Sequence, residues 1–579
     1  MHRIESMQKP VNLGPGLSDF GDFCQCPMES RYSSSSFVVS RVFRSARDPD
    51  GNERPNDNGR RPRNAAVVHQ PDNYSLTQRL TPFNAMHIKS GVAAVIGLAA
   101  VPALAVSPAI CFELTLTLPG KVFLRNSGDY NTHNQYWSNR QDGLSPCCIV
   151  APSSTNDVKK AMNAIRKWKA PFTVKSGGHV PFPSSNIEDG VTIDLVSLNQ
   201  LQLSGDKSVI SVGPGNRWRD VANHLLPHNL AAIGGRVGDI GVGGFVLGGG
   251  ISWFSGRYGW ACDNVRSFEV VLASGNVVTA SATQHPALYK ALRGGGGPNF
   301  GIVTRFDLET IPQGDIWYKE SLYSPASTSD VVDQFCDTAV NGIAADVDAH
   351  PVMFAAYQPS LGGVITQVFR WHAVPPPTSA TVPAVFQPFE AIPDLMNKNA
   401  TLTVPAMLDV YPDPAGFRKG WWDTSIAADN PEVLKDVITN YGTWVAANFA
   451  DKPEVVAVLL IQPVAHSTIL QMQKYGGNSM NLSPSLATQI KINTYVTWAD
   501  QALDTFVGNA ATQLVSQTEQ IAIAGEAFDG GFRYMNYAER TQDVYGRYGP
   551  GALAQLQAAA STYDPNQVLK KQWKGYFKV

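Results

Sequence analysis

Residues 234–250 read Gly234-Gly-Arg-Val237-Gly238-Asp-Ile240-Gly241-Val-Gly243-Gly244-Phe-Val-Leu-Gly248-Gly249-Gly250. In regular structure each glycine costs about 1 kcal/mol relative to alanine, because it loses more backbone freedom on ordering. So dense a run therefore exists where bare backbone is needed. A flexible linker of this length would carry serine and charge, whereas this run is threaded with Ile240, Val242, Phe245, Val246 and Leu247. The interleaving predicts a buried loop lying against a flat or extended ligand.

Related segments flank it. Lys175-Ser176-Gly177-Gly178-His179 directly follows a predicted strand. Adjacent glycines let successive N–H groups converge into an anion-binding nest, and a diphosphate suits such a nest. Read alone, the pentapeptide is also a tight turn with a solvent-facing histidine. Downstream, Arg257-Tyr-Gly-Trp260-Ala-Cys262-Asp-Asn-Val265 leads into Phe268–Gly275, and Ala291-Leu-Arg293-Gly-Gly-Gly-Gly297-Pro-Asn299-Phe-Gly301-Ile302-Val303-Thr304 joins a glycine run to a strand. Each could be a hairpin by itself; their order along the chain is not accidental.

Composition narrows the partners and the chemistry. The chain has 579 residues, 44% hydrophobic and 16% charged, which predicts two to four domains. Lys and Arg total 46 against 48 Asp and Glu, so the net charge of −2 gives no field for nucleic acid. The 7 cysteines form no CxxC pair and no zinc spacing, so no metal is expected. HExxH, GxSxG, GxxxxGK[ST] and GxGxxG are all absent.

Residues 1–85 show no hydrophobic period: a serine run at 33–36 precedes Arg41, Arg44, Arg47, Arg54, Arg60, Arg61 and Arg63 among Pro, Asn and Asp. They read as a disordered upstream extension. At Met86 the pattern changes. His87, Ile88 and Lys89 precede the apolar run Val92–Val101 and then Ala103-Leu-Ala105, the pattern of a secretory signal with an A-x-A cleavage site. Met86 is accordingly expected to be the functional start, residues 86–105 the signal-like segment, and the destination the exterior or an endomembrane lumen. A weak anchor over 91–110 is the competing reading, which Pro102 and Pro108 interrupt, so no stable membrane anchor is expected. Export permits disulfides, and Asn399-Ala-Thr401 is a glycosylation sequon; Asn481-Leu-Ser483 is weakened by Pro484.

From 145 to 313, short β-rich segments alternate with helical ones. Phe172–Lys175, Val191–Leu195, Val209–Val212, Phe268–Val278 and Ile302–Leu308 read as strands; Asp157–Trp168 and Asn216–Leu226 read as helices. Between 314 and 525, strands are predicted at Val352–Tyr357, Val364–Trp371, Val455–Gln462 and Lys491–Trp498, with helices at Glu432–Phe449 and Ala502–Gln517. The layout is α+β.

In content, order and spacing, SGGH, GGRVGDIGVGGFVLGGG, RYGWACDNV and RGGGGPNFGIVT resemble the FAD-binding domain of the vanillyl-alcohol-oxidase (PCMH) type. The fungal form of its berberine-bridge-enzyme-like branch is the nearest match. The resemblance runs from about residue 111 to 579 and includes Phe532-Arg-Tyr534-Met-Asn536-Tyr537-Ala and Tyr563-Asp-Pro-Asn566. It implies a two-subdomain FAD-binding domain over 106–313, a substrate domain with an antiparallel sheet flanked by helices over 314–525, and a C-terminal segment, 526–579, returning to the FAD domain.

The resemblance also assigns residues. His179 stands where the family bonds an imidazole to the flavin, and a neutral imidazole is a competent nucleophile for that bond. Lys175, Ser176, Gly177 and Gly178, with the loop of Gly234, Val237, Gly238, Gly241, Gly243 and Gly244, would hold diphosphate and ribityl. Ile302 and Val303 would line the adenine or ring side, and Tyr534 and Asn536 would return from the tail. Many members carry a second, cysteinyl link where this chain has Val237, so attachment through His179 alone is expected. Tyr475-Gly-Gly-Asn478 and Trp498-Ala-Asp500 resemble motifs of the fungal branch. Asn481 stands where berberine-bridge enzymes place a glutamate base, which leaves Tyr475 and Tyr495 as catalytic candidates. Cys111 is expected to pair with Cys147 or Cys148. The implied activity is an FAD-dependent oxidase that abstracts a hydride from a small molecule, a secondary metabolite or an alcohol, with O2 as acceptor and H2O2 as product. The alternatives are a dehydrogenase or redox cyclase that does not use O2, and a non-catalytic binding protein that kept the fold.

Overall fold

In the computed structural model, residues 106–378, 381–411 and 413–579 are described; the upstream extension and the signal-like segment lie outside them. The first of three sheets joins Val122–Leu124, Cys148–Val150, Phe172–Lys175 and Val191–Asp194 (β1–β4) in the order β1-β2-β4-β3, parallel except for β1. Parallel strands need a crossover, and helix Thr155–Trp168 supplies it between β2 and β3. Ser154 caps its start by accepting from the Asp157 N–H, Val158, Ala161, Met162 and Ile165 bury one stripe, and Lys169 ends it at φ +51°. A Cys111–Cys148 disulfide ties helix Val106–Thr117 to β2, so Cys148 rather than Cys147 is the partner.

The second sheet holds Leu201–Leu203, Val209–Val212, Leu230–Ala232, Val265–Val271, Val277–Ser281 and Ile302–Pro312 (β5–β10), ordered β5-β6-β10-β8-β9 with β7 alongside β10. The strand read over Phe268–Val278 is two strands. The chain turns between Leu272 and Asn276, whose backbones are hydrogen-bonded, and Gly275 takes φ +84° there.

The third sheet is antiparallel: Ile316–Tyr323, Ala349–Gln358, Gly363–His372, Met396–Leu402, Arg418–Ala427, Val456–Val464 and Gln489–Trp498 (β11–β17), ordered β14-β11-β13-β12-β16-β17-β15. Its two faces follow the period of two. Met353, Leu459, Ile461, Ile490, Ile492 and Val496 pack against helices Pro431–Phe449 and Asp504–Ala524, through Val433, Val437, Val507 and Leu514 among others. Each such side chain contributes about 1.5–3 kcal/mol on burial. The opposite face, carrying Val352, Phe354, Val458, Leu460, Asn493 and Tyr495, looks toward the glycine-rich segments. The C-terminal segment crosses between them: Tyr534 Oη accepts from the Gly250 N–H at 2.9 Å, and Asn536 Nδ2 donates to the Phe245 carbonyl at 3.0 Å. Among the described residues no helix is long and apolar enough to cross a membrane, and no group of three or more His, Cys, Asp or Glu is placed to hold a metal ion.

Candidate cofactor and substrate site

The glycine run and the Ser176–His179 turn cross so closely that side chains are excluded at the crossing. A Cβ on Gly177 would stand 2.5 Å from the Gly241 Cα, and one on Gly241 would stand 2.4 Å from the Gly177 nitrogen. Ser176 Oγ locks the crossing by donating to the Pro214 carbonyl at 2.6 Å and accepting from the Gly243 N–H at 3.2 Å. Behind it opens a cavity with about 310 Å³ available to the centres of water molecules. Gly244 faces that space: a Cβ there would meet nothing within 4 Å. Ser176, Gly177, Gly178, His179, Val237, Gly241, Gly243, Gly244, Ile302, Val303, Tyr534, Asn536 and Tyr495 all lie on its wall.

His179 is held in an unusual setting. Its ring stacks on Trp137 at 4.0 Å between centroids, and its buried Nε2 has no hydrogen-bond partner. Loss of hydration lowers its pKa to about 4, against a smaller opposing pull from Asp413, so the imidazole is neutral at physiological pH. Trp137 is itself fixed from three sides. Its Nε1 donates to the Asp413 carbonyl at 3.1 Å, Lys419 Nζ stands 3.9 Å from its ring centre, and Trp421 meets it edge-on.

Four cofactor and catalytic candidates read from the sequence lie off the cavity. The Lys175 side chain turns the other way, donating to the His133 carbonyl and pairing with Asp194 over the Tyr136 ring. Gly234 and Gly238 are glycines for packing: a Cβ on Gly234 would stand 2.3 Å from the Trp218 ring, and one on Gly238 would stand 2.8 Å from the Arg219 guanidinium. Tyr475 is an exposed ring whose hydroxyl bonds Glu309. Asn481, aligned with the family's base, also lies off the cavity, its Nδ2 donating to the Pro550 carbonyl at 2.6 Å.

Tyr495 is the catalytic candidate that does reach the cavity. Its hydroxyl donates to Asp413 Oδ1 at 3.2 Å, and Lys419 Nζ, fully buried, donates to the same oxygen at 2.7 Å. Burial, then the Asp413 charge, push the Tyr495 phenol well above its ordinary value. Sequence reading had missed Trp137, Arg236, Tyr411, Asp413 and Lys419. Arg236 lies inside the glycine run, whose pattern assigns it no task, and the others lie on loops or on β15, where no motif marks them.

Comparison with known proteins gives this geometry its chemistry. An FAD binding domain matches residues 146–281. The FAD-dependent monooxygenase tpcD of Cochliobolus heterostrophus is 32% identical over 459 residues, covering 77% of this chain and 87% of the relative. The chain belongs to the FAD-linked oxidoreductases. The FAD-dependent monooxygenase prx3 of Penicillium roqueforti is also 32% identical, over 451 residues, 75% of this chain and 86% of the relative. Xylooligosaccharide oxidase from Myceliophthora thermophila C1 shares the fold at a TM-score of 0.65 and 20% identity, covering 81% of this chain and 100% of the other. 6-Hydroxy-D-nicotine oxidase from Arthrobacter nicotinovorans does so at 0.63 and 20%, over 79% and 98%. This flavoenzyme therefore has the vanillyl-alcohol-oxidase fold of the berberine-bridge-like branch. Its cavity suits a flavin dinucleotide on three counts: bare backbone at the Gly177–Gly241 crossing, open space before Gly244, and a neutral imidazole with an unpartnered nitrogen.

Proposed function

We propose that this FAD-linked oxidoreductase is an oxidase whose cofactor is bonded to His179 alone, and that it oxidises a small molecule, a secondary metabolite or an alcohol. The observation that carries the reading is His179: buried Nε2, no partner, neutral, and on the wall of the cavity behind the glycine crossing. A neutral imidazole nitrogen with a free lone pair is the nucleophile that such a bond requires. Val237 cannot form a thioether, and Cys262 is buried beside Asp263 rather than on the cavity. Backbone from Ser176 to Gly178 and from Gly241 to Gly244 would hold the dinucleotide, with Ile302, Val303, Tyr534 and Asn536 around it. On this reading 106–313 is the cofactor domain, 314–525 the substrate domain and 526–579 the segment that closes them, and the pattern starting at Met86 directs export.

Bound FAD would supply the acceptor for the two electrons of the substrate C–H, and O2 would then take them to give H2O2. The chain's own task is the proton. The substrate O–H or N–H proton passes to Tyr495 Oη while the Tyr495 proton moves to Asp413 Oδ1, 3.2 Å away. This coupling avoids a free phenolate, which the raised phenol pKa disfavours. Lys419 holds the acceptor oxygen in place and stabilises the carboxylate before transfer. The sheet face of Val352, Phe354, Val458 and Leu460 excludes water from the reacting carbon.

The relatives named FAD-dependent monooxygenases support a second reading, insertion of one oxygen atom into product. Turnover under isotopically labelled O2 separates the two. The oxidase releases one H2O2 per substrate and leaves product unlabelled; label in the product favours the monooxygenase, and a reduced flavin that persists in air favours a dehydrogenase or redox cyclase.

A further inference from the structure

Arg236 stands out among the arginines of the described residues. Among the described residues, the other arginines that are not exposed face a carboxylate: Arg140 pairs with Glu539, Arg293 with Asp263, Arg370 with Glu390, Arg418 with Asp504 and Arg533 with Glu519, for example. Arg236 has none. Its guanidinium is held by neutral acceptors: His350 Nε2 at 2.9 Å, Gln462 Oε1 at 2.7 Å and the Tyr537 hydroxyl at 3.0 Å. His350 supplies no charge, because burial and the adjacent guanidinium hold its pKa well below the ordinary value. Three of the five N–H groups of a guanidinium are thus engaged, and the others have no acceptor among the described residues. Holding a half-buried cation beside apolar walls without a counter-ion is costly unless a ligand provides one.

The surroundings say what kind of ligand. Arg236 reaches the cavity at the end formed by β12, β13 and β16, where Phe354, Trp371 and Tyr411 make flat aromatic walls. Tyr411 packs on Phe369 at 4.4 Å and on Trp371 at 5.8 Å between centroids. The Tyr411 hydroxyl and Trp371 Nε1 are buried and unpartnered, and each is a donor. The other charges at the cavity, Asp413 and Lys419, already neutralise each other. This end of the cavity therefore offers one positive charge without a carboxylate partner, two unpartnered neutral donors and aromatic faces; Glu320, opposite Phe369 on β11, bears electrostatically on Tyr411, and burial raises its pKa.

We infer that Arg236, with Tyr411 and Trp371, forms an anion-recognising subsite, and that the substrate is a planar aromatic compound bearing an ionised oxygen. The inference rests on the cavity being the substrate site of the flavoenzyme, and it names the substrate class that the proposed oxidase leaves open. A carboxylate and a phenolate share the recognised chemistry, and the test distinguishes them.

The purified full-length protein is titrated calorimetrically with benzoate against benzamide, and at mildly alkaline pH with 4-nitrophenolate against nitrobenzene. Charge-assisted hydrogen bonds predict that at least one anion binds about tenfold to a hundredfold tighter than its neutral analogue. The preferred pair identifies the oxygen. Arg236→Met should bring that ratio to within about twofold, and Tyr411→Phe, which deletes a single hydroxyl and preserves the packing, should lower it severalfold. Equal binding of anion and neutral analogue by the wild-type protein overturns the inference, as does a ratio that survives Arg236→Met. An Arg236→Met effect confined to the flavin reduction potential, with the ratio intact, also overturns it and assigns the cation to the cofactor. Calorimetry reads binding without turnover, and flavin content is measured on the same samples. Failure of the oxidase reading is therefore visible separately from failure of this one.

Discussion

Two glycines three positions apart in the same run should respond to the same mutation in opposite ways. A methyl group on Gly241 would stand 2.4 Å from the Gly177 nitrogen and 2.5 Å from its Cα, about 1 Å inside ordinary contact, and both atoms are backbone. Neither chain can retreat, since Ser176 Oγ pins them together through the Gly243 N–H and the Pro214 carbonyl. Gly241→Ala should therefore cost about 1–3 kcal/mol, the range of overpacked cores, and lower the melting temperature by several degrees. Gly244 lies inside helix Val242–Leu247, and its missing methyl would point into open cavity. Gly244→Ala should leave the flavin-free protein as stable as wild type or up to about 1 kcal/mol more stable, from helix propensity. It should nonetheless reduce flavin loading, and Gly244→Leu should reduce it further. The assay is thermal unfolding of each variant together with its flavin-to-protein absorbance ratio. Full flavin loading in Gly244→Leu would show that the cofactor does not occupy the space before Gly244, and an unperturbed Gly241→Ala would refute the crossing.

Three further outcomes are expected. Tyr495→Phe should lower kcat by about 10²–10⁴-fold with flavin content and KM little changed, and Asp413→Asn should lower it too; steady-state kinetics of both variants checks the proton relay, which normal turnover in either would exclude. The folded-state pKa of His179, about 4, lies below its ordinary 6.5. Protons therefore favour the unfolded chain across that window: flavin-free stability should fall by at most about 3 kcal/mol as pH drops from about 6.5 to about 4, then level off. Urea unfolding against pH should show a smaller drop in His179→Ala. Cys148→Ser opens a bridge between residues 37 positions apart and should cost about 4 kcal/mol by the loop-entropy estimate, read as a lower urea midpoint under oxidising conditions only.

Much of the fold was written in local pattern. Phe172–Lys175 and Val209–Val212 are short β-branched runs that coincide with strands, and Ser154 marked the start of its helix. β15 escaped because its sequence, Arg418-Lys-Gly-Trp-Trp-Asp-Thr-Ser-Ile-Ala427, buries Lys419 and Asp423 on one face, so it lacks a clean apolar alternation. Edge strand β14, Met396–Leu402, carries Asn397 and Asn399 toward solvent and reads as loop. Within the site, the glycine motifs located the cavity but did not separate glycines that face it, such as Gly244, from those that admit Trp218, such as Gly234. That difference depends on what stands opposite, which only the folded chain defines. The same holds for Asp413, which lies far from Tyr495 in sequence and gains its role by hydrogen bonding across the sheet edge.

Acid precipitation followed by peptide mapping puts the most direct question to this enzyme. The yellow pigment should stay in the protein pellet, travel with the peptide containing His179 and no other, and be lost to the supernatant in His179→Ala. Release of free FAD from the wild-type protein, or a flavin found on any other residue, would contradict the attachment on which the proposed chemistry is built.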